Sequence, residues 1–391
     1  MAGVFSNHVL SGLRVKLVLF RFYTGLLWHI IKRYKSPTKV KARWGEIKDS
    51  LEVYRIKKAT HKVVKHEGRF FFSCNLPGWP QKNFYNKILS MSETSTPNSL
   101  DKLGIVQIGF TKKCPLNCEH CFEGKILNQP EAISLEEHVL MVKKLQDGNV
   151  PLIQFGGGEP LNRFDDLISV LKSANNSSDF WIYTSGYGLT QSKALSLKNA
   201  GLIGVSVSLD HFDSNAHNVF RRNHKSYQAA MDAIKNAQEA GLLVAMTICV
   251  TNEFCSQENL HSYLALANSL KVNFVQLMEP RATGNYEGLD VLLNSKSKEI
   301  LDQFYLNVNT SKALQKAPIV QYFGFQQRKS GCAGAANRYI YIDTDGFVQA
   351  CPFCSNKKSH FLTGNTPQDL IELKAEGCNY VKPVNHEKTF A

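Results

Sequence analysis

Three cysteines within eight residues, Cys114, Cys118 and Cys121, are the first candidates for chemistry in this 391-residue chain. They form a C-x3-C-x2-C array inside Thr-Lys-Lys-Cys-Pro-Leu-Asn-Cys-Glu-His-Cys, residues 111–121. Thiolates so close together can hold one metal centre. A [4Fe–4S] cluster normally takes four cysteine ligands; held by three, it keeps one iron open for a small molecule. Zinc is the alternative, but it prefers four ligands from paired C-x2-4-C units. His120, wedged between Cys118 and Cys121, makes an awkward fourth. A disulfide fits less well, because no signal peptide precedes the array and clustered cysteines in a large intracellular chain indicate metal or catalysis.

A second group follows: Cys332, Cys351, Cys354 and Cys378. Tyr339–Asp343 reads as a strand between them and Asp345-Gly346 as a hairpin turn. Four cysteines suffice for one iron–sulfur cluster, and equally for a small zinc ribbon. Of the remaining three, Cys249 ends an apolar strand and reads as a small buried hydrophobe. Between the two groups, Gly156-Gly157-Gly158 precedes Glu159. Glycines there let a backbone approach a ligand closely.

The elements that position these residues alternate. Apolar runs predict strands near 104–110, 152–155, 180–184, 203–209, 243–249 and 272–277. Helical patterns fall near 134–147, 164–175, 191–200, 225–240 and 256–270, the first opened by Ser134 with Glu137 as a capping box. Such alternation requires a parallel sheet with crossover helices. It places the cysteine array on a strand-to-helix loop, the end where α/β barrels do their chemistry.

The N-terminal hundred residues differ in character. They hold 18 Lys/Arg against 5 Asp/Glu, whereas the other 291 hold 28 of each. The net charge of +13 therefore belongs to this segment and implies an anionic partner or surface. Residues 13–35 predict an amphipathic helix with Leu19, Phe20, Tyr23, Leu26, Leu27, Ile30 and Ile31 on one face. Arg14, Arg21 and Lys32 lie opposite. A transmembrane helix needs about 20 apolar residues in a row, and Arg21, His29 and Lys32 interrupt any such run. The helix either lies in a membrane interface as a peripheral contact or packs on the body of the protein. Residues 35–43 read as a basic linker. Residues 61–66 and 69–74 predict a hairpin around Glu67-Gly68, Trp79 reads as packing at one end of the barrel, and 92–100 as a polar linker. The expected location is the cytoplasm, with the inner face of the membrane as the alternative.

The motifs, taken in order, resemble those of the radical S-adenosylmethionine (SAM) superfamily over residues 100–380. The array follows a first strand. Gly157-Gly158-Glu159-Pro160 follows the second, and Val205-Ser-Val-Ser-Leu-Asp210 leads to His217 and Arg221. The C-x13-G-x4-C pattern from Cys332 to Cys351 resembles the start of a SPASM/Twitch auxiliary-cluster domain. The resemblance implies an α/β fold: an open, partial (β/α)6 TIM-like barrel at 101–290. A helix/hairpin extension at 1–100 would precede it, and an auxiliary-cluster domain at 291–391 would follow.

It implies that Cys114, Cys118 and Cys121 hold a [4Fe–4S] cluster. Gly157, Gly158, Glu159, Ser208 and Arg221 would bind SAM, the Arg221 guanidinium pairing with the carboxylate of SAM, with Arg222 as the neighbouring candidate. Cys332, Cys351, Cys354 and Cys378 would hold one auxiliary iron–sulfur cluster of the [4Fe–4S] type. The implied activity is reductive cleavage of SAM to a 5′-deoxyadenosyl radical that abstracts hydrogen from a substrate, with a reduced flavodoxin- or ferredoxin-type protein as electron donor.

Relatives with this C-terminal pattern commonly modify peptides or proteins. The alternative is a lipid or lipid-linked substrate at a membrane surface. Pro352-Phe353 stand where sulfatase-maturating relatives place an acidic residue, which argues against that reaction. Glu279 and Arg281, after the sixth strand, either face the substrate or form an ion pair. A non-enzymatic alternative is a zinc-stapled binding module. No nucleic-acid reader motif is present.

Overall fold

The computed structural model describes residues 8–53, 61–81, 84–85, 88–89, 99–354, 356–378 and 380–381. The 92–100 linker lies largely outside them. The chain opens with β1 (His8–Ser11), α1 (Leu13–Tyr34), α2 (Pro37–Val53), β2 (Lys62–His66) and β3 (Arg69–Phe71). β1 and β3 flank β2, both antiparallel to it. The segment at 35–43 is not a linker: Pro37 starts α2, its fixed φ suiting the first helical position.

The face of α1 also differs from expectation. Val15, Val18, Phe22, Leu26 and Ile30 are buried, whereas Phe20 and Ile31 are exposed. The helix carries apolar residues on two opposite sides, so periodicity alone does not fix which side packs. Gly12 provides no side-chain cap and the first turn has no acidic residue. Five buried side chains, each about 1.5–3 kcal/mol, outweigh the roughly 1 kcal/mol of a missing cap.

Strand alternation makes this extension a layer. Val63, Phe70 and Phe72 point to α1 and pack with Phe22, Trp79 and Phe84. Val64, Phe71 and Cys74 point the other way, onto Leu152, Trp181, Leu243, Phe274 and Ile319. Those residues lie at or near the N-terminal ends of the core strands. Arg69 pairs with Asp179, whose carboxylate also accepts from Gly78 N–H at 2.8 Å. Lys62 Nζ donates to the carbonyls of Ala317 and Pro318.

The core strands are β4 (Ile105–Thr111), β5 (Leu152–Gly157), β6 (Asp179–Thr184), β7 (Leu202–Ser208), β8 (Leu243–Cys249) and β9 (Phe274–Met278). Helices α3 (Leu135–Asp147), α4 (Phe164–Ser173), α5 (Gln191–Asn199), α6 (Ser214–Phe220), α7 (Ser226–Glu239) and α8 (Gln257–Ser269) fall in the connections. Ser134 caps α3 in the expected capping box with Glu137. After α9 (Ser295–Thr310), β10 (Ile319–Tyr322) adds parallel to β9. Beyond α10 (Phe323–Ser330), β11 (Tyr339–Ile342) adds parallel to β4, and β12 (Val348–Gln349) turns back on it. A last helix, α11, spans Thr366–Glu376. The sheet order is β10-β9-β8-β7-β6-β5-β4-β11-β12. Its two edges do not pair, so the barrel is open, as the six-unit reading expects.

Asn75 closes the N-terminal end of this barrel. Its Nδ2 donates to Gln321 Oε1 at 2.9 Å, and its Oδ1 accepts from Gln154 Nε2 at 3.1 Å. Asn75→Ala removes both bonds while Gln321 keeps Cys74 and Ser73 as partners, a cost of about 0.5–1.5 kcal/mol per bond. The expected result is a lower denaturation midpoint at unchanged m-value.

Candidate active site

The cysteine array occupies the loop after β4, at the C-terminal end of the strands. Two asparagines hold its backbone. Cys114 N–H donates to Asn128 Oδ1 at 3.0 Å, and Asn128 Nδ2 returns a bond to Cys114 O. Asn285 Nδ2 donates to Cys118 O at 2.9 Å, and its N–H to Cys121 O at 2.9 Å. His120, the awkward zinc ligand, stacks on Phe220 with ring centroids 4.7 Å apart. Its Nδ1 is buried without a hydrogen-bond partner.

The glycine turn is stitched to this loop. Gly158 N–H donates to Thr111 O at 2.7 Å and Glu159 N–H to Lys113 O at 2.8 Å. Gly157 has φ +96°, and a Cβ there would stand 2.8 Å from Thr111 O. Glu159 is buried, and its carboxylate accepts four bonds. Thr184 Oγ1 (2.7 Å) and Leu161 N–H (3.2 Å) reach Oε1, while Ser185 N–H (2.8 Å) and Oγ (2.5 Å) reach Oε2. Four bonds use the acceptor capacity of a carboxylate, so its electrostatic work is spent on tying its own turn to the end of β6. Burial raises its pKa, while these donors act in the opposite direction.

Gly157→Ala therefore combines a left-handed backbone, worth about 1–2 kcal/mol, with a collision against the cysteine loop. The expected outcome is a lowered melting temperature together with reduced iron uptake at the array, read by iron analysis of the reconstituted protein.

Arg221 and Asp210 form the charged wall. Arg221 Nε donates to Asp210 Oδ2 at 2.5 Å, and its Nη1 to Cys118 Sγ at 3.4 Å. Asp210 Oδ1 accepts from Cys249 N–H at 2.9 Å, and His217 Nδ1 accepts from Asp210 N–H at 3.0 Å. Burial alone would raise the Asp210 pKa; Arg221, with His120 and His217, pulls it below the ordinary carboxylate value. Arg221 borders the cavity, whereas Arg222 is exposed. Burial pushes the thiols of Cys114 and Cys121 up to about 12. Left alone these groups stay protonated, and a metal cation is what turns such thiols into thiolates.

The second cysteine group is also assembled. Cys351 Sγ and Cys354 Sγ are 3.3 Å apart. Cys378 hydrogen-bonds with both Cys332 and Cys354. Gly334 N–H donates to Cys332 Sγ at 3.3 Å. Among the described residues, no three His, Cys, Asp or Glu side chains stand in the arrangement of a single bound metal ion. The two groups share donor chemistry and a cavity: Cys114, Cys118, Cys121, Cys332, Cys351 and Cys378 all line one space of about 330 Å³. Phe122 and Phe353 bridge the groups edge to face, with centroids 5.8 Å apart. Soft thiolate sets of this kind suit iron–sulfur clusters.

Gly157, Gly158, Glu159, Ser208 and Arg221 line the same cavity. Glu279 and Arg281 do too, but as an ion pair. Glu279 accepts from Tyr322 OH (2.7 Å) and Arg328 (2.8 Å), with Arg281 at 3.3 Å. The inner wall, by contrast, was missed from sequence. It is neutral and hydrogen-bonding: Asn75, Gln107, Gln154, Tyr183, Gln276 and Tyr339. A signal was present. Four strands carry glutamine after two apolar residues, in Ile-Val-Gln-Ile, Leu-Ile-Gln-Phe, Phe-Val-Gln-Leu and Ile-Val-Gln-Tyr. Gln107 pairs in register with Gln154, and Gln276 with Gln321.

An open parallel α/β barrel with a three-thiol loop at its C-terminal end is the architecture of a radical enzyme. A family profile described as the radical SAM superfamily matches residues 108–256. A GTP 3′,8-cyclase of Campylobacter jejuni is 30% identical, the alignment covering 56% of this chain and 69% of that protein. An AdoMet-dependent heme synthase of Nitratidesulfovibrio vulgaris is 25% identical over 68% of this chain and 77% of its own. The sporulation killing factor maturation protein SkfB of Bacillus subtilis is 25% identical over 69% and 66%. Among solved structures, Streptococcus suis SuiB bound to its precursor peptide SuiA superposes with a TM-score of 0.57 at 16% identity, covering 86% of this chain and 78% of that one.

The chain belongs to the radical SAM superfamily. It is an enzyme of that family, with a [4Fe–4S] cluster and SAM as its cofactors. The zinc-stapled binding module is thereby set aside.

Proposed function

We propose that this enzyme abstracts hydrogen from a peptide or protein substrate, and that it carries one auxiliary iron–sulfur cluster. The observation that carries this reading is the single cavity bordered by both cysteine groups. Cys114, Cys118 and Cys121 would hold the SAM-binding cluster. Cys332, Cys351, Cys354 and Cys378 would hold the auxiliary one, in a Twitch-like domain at 291–391. With its cluster and SAM bound, such a site supplies a carbon radical that takes hydrogen from substrate. The remaining work belongs to the protein.

Gly157 and Gly158 bring backbone close to the ligand, while Glu159 holds their turn rather than the ligand itself. Ser208 and Arg221 offer a hydroxyl and a guanidinium to the polar end of SAM; a fixed planar fork suits a carboxylate. Asp210 keeps that fork aimed. The neutral wall of Gln107, Gln154, Tyr183 and Gln276 orients an uncharged part of the substrate without adding a competing base.

The space is at the small end of ligand pockets, which run about 300–1,000 Å³. SuiB and SkfB, one solved with a precursor peptide and the other named for maturation, support the peptide class. A reduced flavodoxin- or ferredoxin-type donor would supply the electron.

The test uses reconstituted enzyme, SAM and dithionite, with extracts of cells grown in heavy water and separated into peptide, lipid and small-molecule fractions. Deuterium should enter 5′-deoxyadenosine from the peptide fraction. Entry from the lipid or small-molecule fraction alone would overturn the substrate class. For the auxiliary cluster, Cys378→Ser should lower iron from about eight per chain toward four, the content of one [4Fe–4S] cluster. SAM cleavage should be retained in that variant; unchanged iron would remove Cys378 from the ligand set.

A further inference from the structure

Helix α1 is apolar on two opposite sides. Val15, Val18, Phe22, Leu26 and Ile30 face the hairpin layer. Leu13, Leu17, Phe20, Trp28 and Ile31 face outward and are 50–73% exposed. At about 100° per residue, the outward five fall in one stripe roughly 80° wide, nearly opposite the buried stripe. They are five of the twelve large hydrophobic side chains exposed among the described residues; the other seven are spread over residues 140–371.

The margins of the stripe are cationic. Arg14, Arg21 and Lys32 run along one edge and Lys16 along the other. Lys32 Nζ sits 5.2 Å from the centroid of the Trp28 ring. No Asp or Glu occurs before Glu46.

We propose that this outer stripe docks the enzyme onto an anionic lipid bilayer. The five apolar side chains would enter the boundary between headgroups and acyl chains, and the flanking cations would meet lipid phosphates. An interfacial helix requires this combination of an apolar stripe, a tryptophan and basic margins. No described helix is long and apolar enough to cross a membrane, so the contact is in the plane of the surface. Charge selects lipid over a second copy of the chain. A two-fold pairing of α1 helices sets identical surfaces together, which would crowd like charges with no acidic partner from either helix.

The layering also fixes the orientation. The hairpin lies between α1 and the N-terminal strand ends, whereas the thiol loop lies at the C-terminal ends. A docked enzyme therefore turns its cavity toward water. The docking surface does not depend on the substrate assignment and is tested apart from it.

The experiment uses full-length reconstituted protein and vesicles of phosphatidylcholine with or without one quarter phosphatidylglycerol. Co-sedimentation with the anionic vesicles is expected, at least tenfold weaker on pure phosphatidylcholine or in 0.5 M salt. Tryptophan emission should shift to the blue on binding, and Trp28→Phe should remove that shift. Phe20→Glu with Ile31→Glu should weaken sedimentation at least tenfold at unchanged iron content. Arg14→Gln, Arg21→Gln and Lys32→Gln should each weaken it about fivefold. Sedimentation unaffected by the glutamate pair, with emission unmoved, would reduce the contact to adsorption by charge and overturn the proposal. So would the absence of sedimentation, whether or not a concentration-dependent dimer is lost in the glutamate variant.

Discussion

Cys118→Ala is expected to bring 5′-deoxyadenosine formation from SAM down to the no-enzyme background, and to lower iron from about eight to about four per chain, as loss of one [4Fe–4S] cluster requires. Cys118 is the buried middle member of the array and the one whose sulfur Arg221 faces at 3.4 Å. Removing it leaves two thiols, too few to retain the cluster. The protein should nevertheless stay folded, because the loop backbone is held through Asn128 and Asn285 rather than through the thiols. A melting temperature close to wild type, alongside lost SAM cleavage, separates chemistry from folding. Tightly bound zinc in the wild type, with no SAM cleavage, would contradict both the family assignment and this prediction.

Asp210→Asn is expected to destabilise the protein by about 3–5 kcal/mol, the cost of leaving a buried guanidinium without its partner. An exposed pair would cost at most about 1 kcal/mol; burial of Asp210 and Arg221 decides between the two figures. Asparagine retains an oxygen for Cys249 N–H, so the loss isolates the charge. Adding Arg221→Met should recover most of the stability, since no unpaired cation then remains, yet leave SAM binding weak.

The pH dependence follows from the same pair. Arg221, His120 and His217 outweigh burial and hold the Asp210 carboxyl below its ordinary value. Its stabilising contribution is complete above the unfolded-state pKa, about 3.9, and is lost as pH falls through the folded value. Wild type and Asp210→Asn should therefore converge in stability in acid. Chemical unfolding as a function of pH, with equilibrium dialysis of SAM, checks each part.

The six core strands and five of their six connecting helices were legible to within about two residues because each apolar run is buried on both faces; the short α6 was not. The thiols were legible because spacing alone brings three of them into one loop. What sequence left obscure was arrangement between distant segments. Nothing local in Leu13–Tyr34 distinguishes the side of α1 that meets the hairpin from the side that meets solvent. Asn75 reads as an ordinary turn residue, and becomes a barrel floor through partners 79 and 246 positions away. The glutamine wall was written in four strands, but apolar neighbours conceal a residue that faces inward. Arg221 and Arg222 look equivalent until α6 ends and Arg222 turns outward with φ +52°.

Asn75, tethered to Gln154 and Gln321, closes one end of the barrel and leaves the C-terminal end and the unpaired edge as the ways in. SAM, substrate and spent nucleoside would then use the same side of the cavity, which gives their traffic an order. Whatever seats deepest must arrive first, and a product waiting near the cysteines bars the next arrival. Such an enzyme should slow as its own nucleoside accumulates, and a long substrate should act as a stopper that keeps water from the reacting carbon until it leaves.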